Sequence, residues 1–164
     1  MLGSCSNKEP FLKVGLVADP QYANQPPSGK RNYRESLWKL QEAIDTFNFN
    51  KVDLVQNLGD IINDKWESYE AILPLYDKLN PNINNYHLLG NHEFAVDSIH
   101  LKDILDRLSI PDYYYSYSKK GWRFIVLDAT DITYFSNSLH DLKIQDIDLY
   151  FQNTKGQSNS YDWN

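Results

Sequence analysis

Three short clusters bring oxygen donors and an imidazole together: Asp19-Pro20-Gln21, Gly59-Asp60 and Gly90-Asn91-His92-Glu93. Taken singly, each has an ordinary structural reading. An acidic residue at a strand end caps helices or forms turns, and Gly-Asn-His-Glu can be a polar turn with a capping Asn. Their conjunction is less ordinary, because two hard divalent cations held about 3.5–4 Å apart need a bridging carboxylate, flanking oxygen ligands and a water that turns to hydroxide near neutral pH. Asp60 suits the bridge, since its two oxygens can serve both ions. Asp19 and Gln21 would serve one ion and Asn91 the other. His92 follows a ligand directly without having to be one, so it can protonate a leaving oxygen or steady charge on phosphorus oxygens. The case for Glu93 is weaker.

The elements that must carry these clusters follow from hydrophobic pattern. Phe11 to Ala18 is a short, nearly continuous apolar run, as expected of a strand buried on both faces, and it stops at Asp19-Pro20. Tyr22 to Lys30 has loop composition, and Leu37, Leu40, Ile44 and Phe47 then fall at helical spacing over Tyr33 to Phe47. Val52 to Leu58 reads as a second strand and Glu67 to Leu79 as a second helix, kinked or divided at Pro74. In that helix Tyr69, Ile72, Leu73, Tyr76 and Leu79 face inward. Asn85 to Leu89 is a third strand, running into Gly90. The order β-α-β-α-β predicts a parallel sheet with helical crossovers, and such sheets gather ligand sites at the carboxyl ends of their strands. All three clusters sit at such ends. Ser98 to Leu108 reads as a short helix, and Tyr113 to Ser118 with Trp122 to Asp128 as a hairpin turning through Lys119-Lys120-Gly121.

The chain has 164 residues, 41% hydrophobic and 14% aromatic, enough for one domain with one core. Its formal charge is −6 and no basic stripe runs along it, so counterion-release binding to nucleic acid has little to work with. An acidic protein that handles an acidic phosphate cancels the repulsion locally, and bound cations are the usual means. A single cysteine, Cys5, excludes an internal disulfide framework and a thiolate zinc cluster. No run of about 18 apolar residues occurs, so no segment reads as a membrane span.

Asp19-Pro20-Gln21, Gly59-Asp60 and Gly90-Asn91-His92-Glu93 resemble the first three blocks of the calcineurin-like metallophosphoesterase family. The blocks lie about 30 to 40 residues apart, as a βαβ unit spaces them. The usual first block in that family is Asp-x-His. Gln21 in place of the His, with Val17-Ala18 before and Tyr22-Ala23 after, resembles the manganese-dependent ADP-ribose/CDP-alcohol diphosphatase branch. Gly59-Asp60-Ile61-Ile62 and Trp122 to Asp128 extend the likeness over roughly Val14 to Thr130. The resemblance implies the first half of a four-layer α-β-β-α sandwich. It also implies hydrolysis of a phosphodiester or diphosphate in a small nucleotide such as ADP-ribose or a CDP-alcohol. The oxygen-rich ligand set favours two manganese ions, with magnesium, iron or zinc as other divalent occupants.

Two departures qualify that likeness. Many relatives place an Asp three positions after the bridging Asp, where it orients the catalytic His; here Asn63 stands there and Asp64 follows. The family also completes its site with a later His and a Gly-His-x-His block, and this chain has neither. His87 reads as a packed core residue of the third strand, His100 as a solvated helix start, and His140 stands alone. The expectation is an incomplete domain over residues 11–164, weakly structured after about residue 140. The competing reading is a non-catalytic scaffold or inactive fragment that keeps the fold without the second half of the metal site.

At the other end, Leu2-Gly3-Ser4-Cys5 resembles the lipobox of bacterial lipoproteins, with residues 1–10 as a polar segment; only four residues precede Cys5, too few for a signal peptide. A lipidated Cys5 would place the protein in the bacterial cell envelope, and an unmodified one in the cytoplasm. Two further groups have a plain reading and a functional one. Tyr113, Tyr114 and Tyr115 could stack a nucleobase, though alternating strand faces explain them. Lys30, Arg31 and Arg34 could meet a substrate phosphate, though a solvated helix start explains them as well.

Overall fold

The computed structural model describes residues 11–128. Cys5, His140 and the weakening expected after residue 140 lie outside the described residues. Strand β1 (Val14–Val17) leads through a loop and a 3-10 turn at Tyr33–Glu35 into helix α1 (Ser36–Asn50). Strand β2 (Leu54–Asn57), helix α2 (Ser68–Tyr76) and strand β3 (Asn84–His87) follow. The three strands form a parallel sheet in the order β1-β2-β3, with Val14, Leu54 and Asn84 in register at one end and Val17, Asn57 and His87 at the other. The predicted β-α-β-α-β order is therefore the observed one, and the three clusters emerge from one edge of the sheet.

One face of the sheet is covered by the two helices. Ile44 of α1, Ile72 and Tyr69 of α2, and Val55 of β2 are fully buried in one apolar cluster, joined by Ile61 and Ile62 from the loop after β2. Ile72 alone removes enough apolar surface from water to stabilise the fold by about 2 kcal/mol. Helix α1 ends as the chain passes through Lys51 in the left-handed conformation, with the Val52 amide donating back to the Phe47 carbonyl at 3.2 Å. Helix α2 runs through Pro74 and stops at Tyr76, short of Leu79, where the chain tightens into i to i+3 bonds from Lys78 N to Leu75 O and from Leu79 N to Tyr76 O. Leu79 still packs into the core from the turn that follows.

The other face corrects a sequence expectation. β2 is buried throughout, but β1 is not buried on both faces: Leu16 is 61% exposed. Among the described residues β1 stands at the edge of the sheet. That hairpin, β4 (Tyr115–Lys119) with β5 (Trp122–Val126), is antiparallel and turns at Lys120-Gly121, both with positive φ. It anchors over β3 and β2. The Tyr117 ring lies between Tyr86, 3.5 Å away, and Phe124, 4.8 Å away, and its hydroxyl donates to Gln56 Oε1 at 2.6 Å. Packing thus accounts for Tyr117, and Tyr115 donates its hydroxyl to the His87 carbonyl at 2.5 Å. Between sheet and hairpin run 3-10 turns at His92–Ala95 and Ser98–Asp103 and the short helix α3 (Ile104–Arg107), so the helix predicted over Ser98 to Leu108 is mostly 3-10. His100 is not simply solvated: its ring stacks on Trp66 at 4.5 Å and 3°.

Two apolar residues of this sheet system should respond differently to truncation. Ile72→Ala should cost about 2–5 kcal/mol in urea unfolding, by transfer and cavity together. Leu16→Ala should stay within about 1 kcal/mol, because its side chain already meets water. Equal losses at the two positions would contradict the one-sided core.

Candidate metal centre

Each cluster is held by a different local device. The loop after β1 is fixed to the start of α1, where the Ser36 hydroxyl donates to the Pro20 carbonyl. It is also zipped to the loop after β2 by main-chain bonds: Gln21 N to Asp60 O at 2.8 Å, Tyr22 N to Ile61 O at 3.0 Å, and Asn63 N to Tyr22 O at 3.0 Å. The Gln21 side-chain amide lies 3.5 Å from Asp60 Oδ2. Gln21, two residues after Asp19, is thereby placed next to the predicted bridge by backbone pairing.

The loop after β3 crosses the loop after β2 at very short range, and two glycines make that crossing feasible. A Cβ on Gly59 would sit 2.5 Å from the Gly90 nitrogen, and one on Gly90 would sit 2.2 Å from Asp60 Oδ1. Across this junction lies Glu93, with no exposed surface, its carboxylate accepting three backbone amides: Asp60 N at 2.8 Å, Ile61 N at 2.7 Å and Gly90 N at 2.7 Å. Burial pushes the Glu93 carboxyl up to about 7; the three amides oppose that rise and the nearby Asp60 charge adds to it. Sequence reasoning underrated Glu93. Its signal was a carboxylate three residues after a glycine at a strand end, which a backbone nest can hold.

Asp60 itself is buried, and its Oδ1 accepts the His92 amide at 2.9 Å. Asp19, Gln21 and Asp60 all have positive φ, at 50°, 44° and 53°, and they are three of the six such non-glycine residues described. Left-handed backbone costs about 1–3 kcal/mol per residue and persists only where surroundings enforce it. Half of this strain falls on three predicted ligands, which points to a site and not to casual loops. Asn91 opens the 3-10 turn but makes no side-chain cap bond, so the capping explanation for it fails. The side chains of Asp19 and Asn91 make no hydrogen bond among the described residues and stand exposed at the rim.

His92 has a partner other than the expected carboxylate. Its Nδ1 is hydrogen-bonded to the Asn63 main-chain carbonyl, which can only accept, so Nδ1 carries the proton and Nε2 is left for chemistry. Asn63 therefore supplies by backbone what the family's Asp supplies by side chain. Asp64 makes no bond to His92; its Oδ1 is buried without a partner among the described residues. His87 is a core residue as expected: it is buried, Asn85 Nδ2 lies 2.9 Å from its Nε2, and burial lowers its pKa to about 4.

Among the described residues no group of three or more His, Cys, Asp or Glu side chains converges. The predicted donors, Asp19, Gln21, Asp60 and Asn91, are two carboxylates and two amide oxygens. That all-oxygen set fits hard divalent ions such as manganese or magnesium better than soft ones. The room left for Asp60 by Gly90 and the freedom of Asp19 and Asn91 from other bonds agree with that fit.

A family model described as calcineurin-like phosphoesterase matches residues 12–163. An Arabidopsis thaliana protein named manganese-dependent ADP-ribose/CDP-alcohol diphosphatase is 32% identical over 149 residues, covering 80% of this chain and 46% of that protein. A Mus musculus protein of the same name is 30% identical over 157 residues, covering 76% and 46%. The crystal structure of a dimetal phosphatase from Danio rerio matches with a TM-score of 0.67 at 26% identity, over 90% of this chain and 54% of that one. The parallel sheet, the hairpin and the three strand-end loops thus define the metallophosphoesterase fold. The chain belongs to the calcineurin-like phosphoesterase family. It spans about half the length of the relatives it matches.

The three bonds to Glu93 generate a stability prediction. Glu93→Ala leaves two buried amides and one part-buried amide without their acceptor and should lower unfolding free energy by at least about 3 kcal/mol in a urea titration. A loss under about 1 kcal/mol would mean that the junction is held by something else.

Proposed function

We propose that this protein is a metal-dependent hydrolase that cleaves a phosphodiester or diphosphate bond in a small nucleotide, with ADP-ribose and CDP-alcohols as the substrate class. The observation that carries the reading is the convergence of Gln21 on Asp60, 3.5 Å apart, on loops held by strained backbone. The names of the relatives point to the same bond and to manganese. Asp19 and Gln21 would hold one divalent ion, Asp60 would bridge, and Asn91 would hold the other. When bound, the pair of ions supplies hydroxide from a shared water and offsets charge on the phosphoryl oxygens.

The chain's own residues do the rest. The His92 amide fixes one oxygen of Asp60, so that carboxylate cannot rotate out of position. The Asn63 carbonyl orients the imidazole through Nδ1, which leaves Nε2 as the atom that would pass a proton to the leaving oxygen as the phosphorus–oxygen bond breaks. Ile61 and Ile62, fully buried next to Asp60 in the same loop, keep water from that side of the carboxylate.

The test is release of AMP from ADP-ribose, or CMP from CDP-choline, in manganese. Turnover is expected, and Asp60→Ala should reduce it at least about a hundredfold. No turnover of either substrate by the protein with manganese, or turnover indifferent to Asp60→Ala, would overturn the proposal.

A further inference from the structure

The ends of β1, β2 and β3 opposite the three clusters carry a different surface. Phe11 precedes β1 there, Phe49 stands in the last turn of α1, and Trp122 opens β5 beside the hairpin turn. Phe49 and Phe11, 86% and 78% exposed, are the two most exposed large apolar side chains among the described residues, and Trp122 is 63% exposed. Polar contacts draw the three positions together. Lys13 Nζ donates to the Asn50 carbonyl, next to Phe49, at 3.1 Å, and the Lys13 amide donates to Asp53 Oδ2 at 2.9 Å. Lys120 Nζ sits 2.7 Å from Asp53 Oδ1 and donates to the Phe11 carbonyl at 3.2 Å. Lys119, opposite Trp122 in the hairpin register, donates to Asn84 Oδ1 at 2.6 Å, at the start of β3. One network of contacts therefore fixes all three aromatic positions at the same end of the sheet.

The charge of this end runs against that of the chain, which is −6 overall. Among the described residues Lys13, Lys51, Lys78, Lys119 and Lys120 stand here against the carboxylates of Asp53 and Asp77. Asp53 is already engaged by Lys120 and the Lys13 amide, and Lys51 is exposed with no ion pair among the described residues. A single exposed aromatic is normal on any protein surface. Three of them interleaved with lysines do not match the centre of a protein–protein interface, which is depleted in lysine. They match a surface that rests on a bilayer, where rings enter the headgroup layer and lysines meet lipid phosphates.

We propose that this end of the sheet binds the surface of an anionic phospholipid bilayer, with Phe11, Phe49 and Trp122 entering the headgroup layer and Lys13, Lys51, Lys119 and Lys120 meeting lipid phosphates. None of these residues belongs to the candidate metal centre, so the surface and the phosphoesterase reading stand or fall separately. Strands of four residues, about 13 Å long, lie between this end and the three clusters, so a bilayer-bound chain keeps the loops after β1, β2 and β3 turned toward water. Such contact needs no membrane-spanning helix, and among the described residues no helix is long and apolar enough to cross a membrane.

The test is co-sedimentation of the full chain, carrying Cys5→Ser so that no lipid anchor contributes, with vesicles of phosphatidylcholine containing about 30% phosphatidylglycerol and with vesicles of phosphatidylcholine alone. Binding should be at least about tenfold tighter to the anionic vesicles and should fall severalfold between about 0.1 M and about 0.5 M salt. Phe49→Ser with Trp122→Ser, and separately Lys13→Gln with Lys51→Gln, should each weaken it at least about fivefold. Ile99→Ser, at an exposed apolar position in the turn beyond the other end of β3, should change it by less than about twofold. The altered side chains are all exposed, so these variants should melt as the unaltered chain does. Lipids brominated on their acyl chains should quench Trp122 fluorescence, and Trp122→Phe should remove that part of the quench. Equal binding to both kinds of vesicle, binding to neither, or a quench undiminished in Trp122→Phe overturns the proposal. Self-association that is lost in Phe49→Ser with Trp122→Ser, without vesicle binding, would assign the surface to a second copy of the chain and overturn it as well.

Discussion

A carboxylate sealed from water, accepting three main-chain amides from two different loops, is the constraint on which the rest of the site depends. Glu93 receives the amides of Asp60, Ile61 and Gly90 within 2.8 Å. Those bonds lock the loop after β2 to the loop after β3. Leaving such a carboxyl buried without donors would be costly, so the fold must bring all three amides to it. Asp60 and Asn91 belong to the two loops that Glu93 joins, and their separation is set by that junction. A metal-bridging carboxylate needs its position fixed to a fraction of an ångström, and a buried nest achieves this more firmly than a surface salt bridge could.

The junction explains the strain around it. Gly59 and Gly90 cross so closely that neither tolerates a Cβ, and Asp19, Gln21 and Asp60 adopt left-handed backbone. Loops free to relax would not keep these conformations. Here the main-chain zipper from Gln21 to Asn63, the Ser36 hydroxyl and the Glu93 nest jointly enforce them. Core packing of Ile44, Ile61, Ile62 and Ile72 against the sheet supplies the stability that offsets the strain. The rigid sheet end and the strained loops are therefore one arrangement: burial on one side pins polar groups on the other.

Much of this was legible in the chain. Periodicity alone placed α1, α2 and the three strands in parallel order, because amphipathic spacing reports burial directly. The three clusters were legible because a parallel sheet directs its strand ends to one edge. The exposure of Leu16 was not, since a continuous apolar run reads alike for an edge strand and a central one. The partner of His92 was missed for a different reason. A main-chain carbonyl carries no side-chain identity, so Asn63 looked like a lost carboxylate when its backbone does the orienting. Glu93 was undervalued because its role depends on three amides whose convergence only the folded loops create.

The most direct test of the account is amide hydrogen exchange at Asp60, Ile61 and Gly90, followed by NMR in the unaltered chain and in Glu93→Ala, with the β2 amide of Val55 as internal reference. If the buried carboxylate joins the two loops, all three amides are protected in the unaltered chain and lose about tenfold or more of that protection together in the variant, relative to Val55. Protection that survives at all three positions, or is lost at only one, would contradict the claim that Glu93 holds the two loops together.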